Sequence, residues 1–304
     1  MDARAKPDVA GSDEQDQARG GLIGAVLWLL RRVPPDFLAG IGGALARIFG
    51  PLLPAQRIGR DNLRAAFPDA DPAFLRATLR AAWDNLGRVG GEYAALDRLW
   101  HYDQARPEAR RILVDDVSAL AEHARAGTPV LLFTAHLANW ELSAVAAHAL
   151  GLPTAVVYRL PNGALSRAAI ARIRTPIMGQ LIRTRPQAGL EMAASLRRGA
   201  ILGMLVDQRF SRGVEVTFFG RPCTANPTLA RLARQFDCPV FGARAIRLPG
   251  GRFRIALTGP VTLPRDTEGK IDVAAATQTI TTIVEGWIRE HPGQWLWFHR
   301  RWRR

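Results

Sequence analysis

Of the six histidines in this 304-residue chain, only His136 has a carboxylate five residues on, at Glu141. An imidazole backed by a carboxylate can take the proton of an incoming hydroxyl, without a covalent enzyme intermediate. Chance supplies about half such a match in a chain of this composition, so the position of the pair carries the argument. His136 follows the apolar run Val130-Leu131-Leu132-Phe133-Thr134-Ala135, which reads as a buried strand. On one continuous helix His136 and Glu141 would lie about 140° apart, because each residue turns about 100°. Their pairing therefore needs a break. It places His136 on the loop leaving the strand, Asn139 as N-cap of the next helix, and Glu141 in its first turn, pointing back at the imidazole.

Other candidates for substrate contact join Asn139 at neighbouring strand ends. Asp207, Gln208 and Arg209 lie just past the strand-like Ile201 to Val206, the carboxyl edge at which α/β proteins place ligands. Arg221 sits in the apolar turn Phe218-Phe219-Gly220-Arg221-Pro222, and Arg159 follows the strand-like Thr154 to Tyr158. No serine is flanked as in G-x-S-x-G, so a nucleophile-elbow hydrolase is unsupported. There is no P-loop, and Gly40 to Leu45 lacks the third glycine of a dinucleotide fingerprint. Cys223 and Cys238 form no C-x-x-C pair and have no histidine at ligand spacing, so they read as reduced structural thiols. Neither a metal nor a cofactor is expected.

A 48% hydrophobic chain of this length buries a sizeable core, and a net charge of +14 asks for an anionic counterpart such as nucleic acid, an anionic membrane, a phosphorylated substrate or an acidic protein. Residues 1–19 are polar and acid-rich and are expected to form a disordered tail without the apolar core of a signal peptide. Residues 20–60 read as a helical membrane anchor lying in the interface. There Leu22 to Leu30 is too short to span a bilayer, and Phe37 to Leu53 is interrupted by Arg47 and glycines. An ordinary helical subdomain packed on the core is the alternative. From residue 61 to 304 the chain reads as one domain. Asp71-Pro72 opens an amphipathic helix, and another occupies Val117 to Ala126. Helical segments near Ala164 to Leu181, Leu190 to Arg198, Asn226 to Phe236 and Val273 to Arg289 alternate with extended ones at Val214 to Phe219, Val240 to Ile246 and Phe253 to Thr258. The alternation predicts an α/β fold, a mixed and largely parallel sheet flanked by helices.

The run His136-Leu137-Ala138-Asn139-Trp140-Glu141 resembles the H-x4-[DE] motif of membrane acyltransferases, in the Asn-Trp-Glu form of the late (lauroyl or myristoyl) lipid A acyltransferases. Asp207-Gln208-Arg209 followed by Val216 to Pro222 is similar to that family's second signature, and His291-Pro292-Gly293-Gln294-Trp295-Leu296-Trp297 through Trp302 to its third. Asn62-Leu63 with Phe67-Pro68 matches the amino-terminal part, so the resemblance spans about residues 20 to 303. One departure is Ala138, where the family often has glycine. The resemblance implies a glycerolipid acyltransferase-like fold. It also implies transfer of a fatty acyl chain from acyl carrier protein to a hydroxyl of a lipid A precursor, an acylated and phosphorylated glucosamine disaccharide, at the cytoplasmic face of the inner membrane. In that reading His136 takes the hydroxyl proton and Glu141 holds the imidazole's other N–H. Backbone N–H groups at the helix opening help the oxyanion. Arg159, Arg209 and Arg221 bind acceptor phosphates or the carrier's phosphopantetheine, and Asp207 positions an arginine or the acceptor.

Two other functions fit the residues. One is an acyltransferase of the same fold acting with acyl-CoA on another glycolipid, such as a phosphatidylinositol mannoside. The other is a basic nucleic-acid-binding protein, for which the tryptophans among Arg300, Arg301, Arg303 and Arg304 would be a stacking platform. That segment reads rather as surface or membrane-facing, and no nucleic acid is expected as a partner.

Overall fold

All five residues of the strand before His136 are buried, because helices cover both faces of the sheet it belongs to. The computed structural model describes residues 29–100, 111–159 and 173–302. The expected tail, Leu22 to Trp28, the connector around Pro107 and residues 160–172 lie outside them. The strands are β1 (Ile112–Val114), β2 (Val130–Thr134), β3 (Thr154–Tyr158), β4 (Gln180–Arg183), β5 (Ile201–Leu205), β6 (Val214–Phe218), β7 (Arg221–Ala225), β8 (Val240–Arg247) and β9 (Phe253–Thr258). Seven of them form one sheet in the order β1-β9-β8-β2-β5-β3-β4, while β6 and β7 make a separate hairpin. Only the β8–β9 pairing in the large sheet is antiparallel, so it is the mixed, largely parallel sheet expected. β4 falls at the end of the stretch read as helix from Ala164 to Leu181. It pairs in parallel with β3 from Ala155–Gln180 to Tyr158–Arg183, and four residues are too few for apolar periodicity to tell strand from helix.

The helices are α1 (Pro35–Phe49), α2 (Ala55–Ala66), α3 (Pro72–Tyr93), α4 (Leu96–Leu99), α5 (Ser118–Arg125), α6 (Glu141–Ala149), α7 (Ala188–Arg197), α8 (Thr228–Phe236) and α9 (Val273–Glu290). The turn chemistry seen in the sequence sets several of their starts. Asp71 accepts a hydrogen bond from Ala73 N at 2.7 Å, and Asn226 accepts from Thr228 N at 3.0 Å. Alternate residues of β2 serve the two faces. Phe133 stacks on Trp287 of α9 with centroids 5.4 Å apart, while Leu132 joins Leu120 of α5 on the other side.

The expected anchor, where described, is α1 lying along α3. The contact is backbone to backbone, since a Cβ at Gly42 would run into the Gly87 carbonyl and one at Gly91 into that of Leu38. Its outer face leaves Phe37, Ile41, Leu45 and Ile48 exposed, and Leu52 just past its end is exposed as well. Among the described residues no single helix is long and apolar enough to cross a membrane, and the one candidate pair, Pro35–Leu52 with Ala55–Ala66, is bent by 88°. The carboxyl-terminal segment is not the surface strip expected from its sequence. Trp295, Trp297, Arg301 and Trp302 are all buried. Trp302 packs on Phe218 at 5.7 Å, and the Arg301 guanidinium lies 4.6 Å from that ring's centroid. Apolar aromatic area outweighs the neighbouring charges in setting the burial of this strip.

Candidate active site

Parallel register brings the site together. β2 and β5 pair side by side with Thr134 opposite Leu205, and Val206 N continues the ladder to Thr134 O at 3.0 Å. His136 and Asp207 each stand two residues beyond that last pair, so they emerge together at the carboxyl edge of the sheet. Asp207 Oδ1 lies 2.8 Å from His136 Nδ1, and Oδ2 accepts from His136 N at 2.9 Å and from Trp295 Nε1 at 2.7 Å. An ionised carboxylate only accepts, so Nδ1 carries the proton and Nε2 keeps its lone pair. Burial pushes the Asp207 carboxyl up, but the His136 ring, its hydrogen bonds and His299 outweigh this and hold it well below its ordinary value. The arrangement is a base fixed in one tautomer and one orientation, able to take a proton at Nε2.

Glu141 does not hold the imidazole. It is the first residue of α6, as the spacing required, yet its carboxylate turns to Arg174, whose Nε donates to Oε2 at 3.0 Å and whose NH2 group donates to Oε1. Trp140 Nε1 donates to the same carboxylate at 3.0 Å. The side chains of this ion pair are 6% and 14% exposed, so each charge depends on the other. The guanidinium is sandwiched between Tyr93 at 5.7 Å and Tyr158 at 5.6 Å. Asn139 does help open α6, since its Oδ1 accepts from Glu141 N at 3.3 Å and its carbonyl from Leu142 N at 3.1 Å. Both of those N–H groups are thereby occupied rather than open to an oxyanion.

The loop from His136 to Asn139 is tied down from α3 and from the carboxyl-terminal segment. Ala138 has φ 46°, a left-handed conformation that costs a residue with a Cβ about 1–2 kcal/mol and explains the glycine common at this place in the resembling motif. Hydrogen bonds hold it there. Ala138 N donates to Gln294 O at 2.9 Å, and Asn85 Nδ2 donates to Ala138 O at 3.2 Å. Leu296 N donates to His136 O at 3.1 Å. Asn139 Nδ2 donates to Glu92 at 2.9 Å, and buried Glu92 is paired with Arg247, whose Nε donates to Asn85 at 3.0 Å. Asn139 is therefore fully buried and its side chain is part of the scaffold.

The remaining candidates divide. Gln208 is exposed beside the base, its Nε2 3.5 Å from His136 Nε2. Arg209 and Arg221 do converge, and with Arg300, Asp61, Asn62 and Trp302 they line an open pocket of about 960 Å³. Arg159 stands exposed past β3 and lines neither that pocket nor the apolar cavity beside His136. Among the described residues Asp207 forms no hydrogen bond or ion pair with an arginine, and its oxygens go to His136 and Trp295 instead. Sequence reasoning missed Arg174, Glu92 and Arg247, whose roles arise only from contacts between distant segments. It also missed His299, whose ring lies 6.5 Å from that of His136 and which burial pushes down to about 4. Among the described residues no group of three or more metal-ligating side chains occurs.

A small apolar cavity lies between α6 and the β2–β5–β3 face, and its lining includes Thr134 and Trp140, whose ring centroid is 5.0 Å from that of His136. Its walls are mostly small or aliphatic, with Leu132, Ala144, Val156, Gly203 and Leu205 among them, and the Glu141–Arg174 pair also lines it. The imidazole therefore stands close to an apolar slot, separated from it by Trp140. No curated protein matches the sequence. The profile of the bacterial lipid A biosynthesis acyltransferase family matches residues 18–304, which takes in every element of the site, and the chain therefore belongs to that family of acyltransferases.

Proposed function

We propose that the protein transfers a fatty acyl chain from the thioester of acyl carrier protein to a hydroxyl of a lipid A precursor, with His136 as general base. The observation that carries this reading is the His136–Asp207 pair opening beside the apolar cavity. The acyl chain lies in the cavity with its thioester carbonyl near Trp140. His136 Nε2 takes the proton of the acceptor hydroxyl as its oxygen attacks that carbonyl. A C–O bond forms, the C–S bond breaks, and the imidazolium returns the proton to the leaving thiolate. Asp207 steadies the imidazolium in between, as the acid does in a Ser-His-Asp triad. Arg209, Arg221 and Arg300 bind phosphate on the acceptor or on the carrier's arm, since planar guanidinium groups suit that geometry.

The exposed stripe Phe37, Ile41, Leu45 and Ile48 on α1, with Leu52 just past its end, lies in the membrane at the cytoplasmic face, as an interfacial helix does. A stripe of this kind is expected to lie against a lipid surface or a partner. The acceptor is itself a membrane lipid, which favours the lipid surface. The test is transfer of labelled acyl chain from acyl carrier protein to a lipid A precursor by the purified full chain. His136→Ala should lower turnover by at least about 100-fold, the low end of what general base catalysis contributes. A folded His136→Ala protein with wild-type turnover would refute the base. Equal use of acyl-CoA would refute the carrier, and no product with a lipid A precursor would refute the acceptor.

A further inference from the structure

We propose that the groove between α2 and α3 binds the phosphate headgroups of anionic membrane lipids. Two arginine pairs line it, each one helical turn apart: Arg60 and Arg64 on α2, Arg76 and Arg80 on α3. The helices run antiparallel. The connection at residues 67–71 joins them at one end, and Trp83 Nε1 donates to Gln56 Oε1 at 2.7 Å at the other. This register sets the two pairs on opposite walls of one open groove, whose lining also includes Leu63, Leu75, Leu79 and Trp83.

All four of these arginines are exposed, and none has a carboxylate or other hydrogen-bond partner among the described residues. Other exposed arginines divide, Arg31, Arg185, Arg254 and Arg265 each being paired with an acid while Arg125, Arg197, Arg231 and Arg252 have no such partner among the described residues; what sets Arg60, Arg64, Arg76 and Arg80 apart is that all four line one groove. Converging like charges repel unless an anion sits between them, and guanidinium groups match phosphate oxygens in pairs.

Position decides what kind of anion this is. The groove runs into Arg47 and Pro51 at the end of α1, and Arg47 is already held by Asp84. Immediately beside it Phe49, Leu52 and Leu53 are 55%, 78% and 52% exposed. An anionic head in the groove and apolar chains against that corner describe a phospholipid at a bilayer surface. The inference rests on the membrane-facing reading of α1, and the two can be tested separately.

The experiment is flotation of the purified full chain with vesicles of phosphatidylcholine alone or mixed with phosphatidylglycerol. Wild-type protein should bind the mixed vesicles more tightly. Neutralising Arg60, Arg64, Arg76 and Arg80 to Gln should remove that preference, at about fivefold per arginine and about 100-fold or more for the four. Binding to phosphatidylcholine alone should be unchanged. A second variant neutralising the exposed Arg125, Arg197, Arg231 and Arg252 carries the same net charge and should keep most of the preference. A four-lysine version of the groove should keep it too, because a lipid surface reads charge. Ile41→Ser with Ile48→Ser should weaken binding to both vesicle types, and its failure to do so would count against the membrane face instead. The groove assignment is overturned if the two four-arginine variants behave alike. It is also overturned if the groove variant binds vesicles as wild type does but needs more acyl carrier protein for half-maximal rate, which would make the groove a dock for that acidic donor.

Discussion

Asp207→Asn is the substitution on which the mechanism turns. Asp207 Oδ2 receives two donors that cannot change role, the backbone N–H of His136 at 2.9 Å and the indole N–H of Trp295 at 2.7 Å. An asparagine has one acceptor oxygen, and these two donors require it at that place. Its NH2 group then faces His136 Nδ1, 2.8 Å away in the wild type. Nδ1 must become an acceptor, so the ring proton moves to Nε2, where the base is needed. The shape of the site survives while its chemistry is lost. A loss of about 10,000-fold in turnover is expected, the scale found when an amide replaces the carboxylate of a Ser-His-Asp triad. The assay is steady-state acyl transfer from acyl carrier protein, with circular dichroism to check the fold and nitrogen NMR of the imidazole to read the tautomer. A folded Asp207→Asn protein with turnover close to wild type would refute the reasoning. So would a collapse of turnover in Glu141→Gln while Asp207→Asn is spared.

Glu141→Gln should act mainly on stability, because it strands the Arg174 charge in a largely buried site; loss of about 3–5 kcal/mol is expected in denaturant titration, with a smaller fall in turnover than Asp207→Asn. Gly203→Leu should shorten the acyl chains accepted. A Cβ there meets nothing closer than 3.9 Å and the rest of the side chain extends into the cavity, so competition between long- and short-chain donors should swing to the short ones without loss of the His136 pair. Acid should weaken the fold through His299. Its value falls from 6.5 to about 4 because burial disfavours the charged ring, so between those limits the unfolded chain binds more protons and stability drops as pH falls. The slope reaches at most about 1.4 kcal/mol per pH unit, the value for one proton, and it should flatten in His299→Gln. Asp207, held low in the fold, adds stability that is present above its unfolded value near 3.8 and is lost only below it.

What the sequence determined is what local pattern can encode. The unbroken apolar run to His136 reads as a strand because five residues buried on both faces must all be apolar or small. Asp71 and Asn226 mark helix starts because their side chains meet backbone N–H groups only two residues away. The place of His136 at a strand end and the motif order that marks the family are likewise properties of short stretches. The partner of that histidine was not. Glu141 is five residues from His136 in the chain and pairs with Arg174, while Asp207 is 71 residues away and pairs with the imidazole. Sequence spacing favoured the nearer acid. The tertiary structure decided otherwise because β2 and β5 are neighbours in parallel register, and which strands become neighbours depends on the packing of the whole sheet. The burial of Trp295, Trp297 and Arg301 has the same origin. A short run of tryptophans and arginines reads as surface from its charges, and it becomes core only where Phe218 and Asp207 are brought against it.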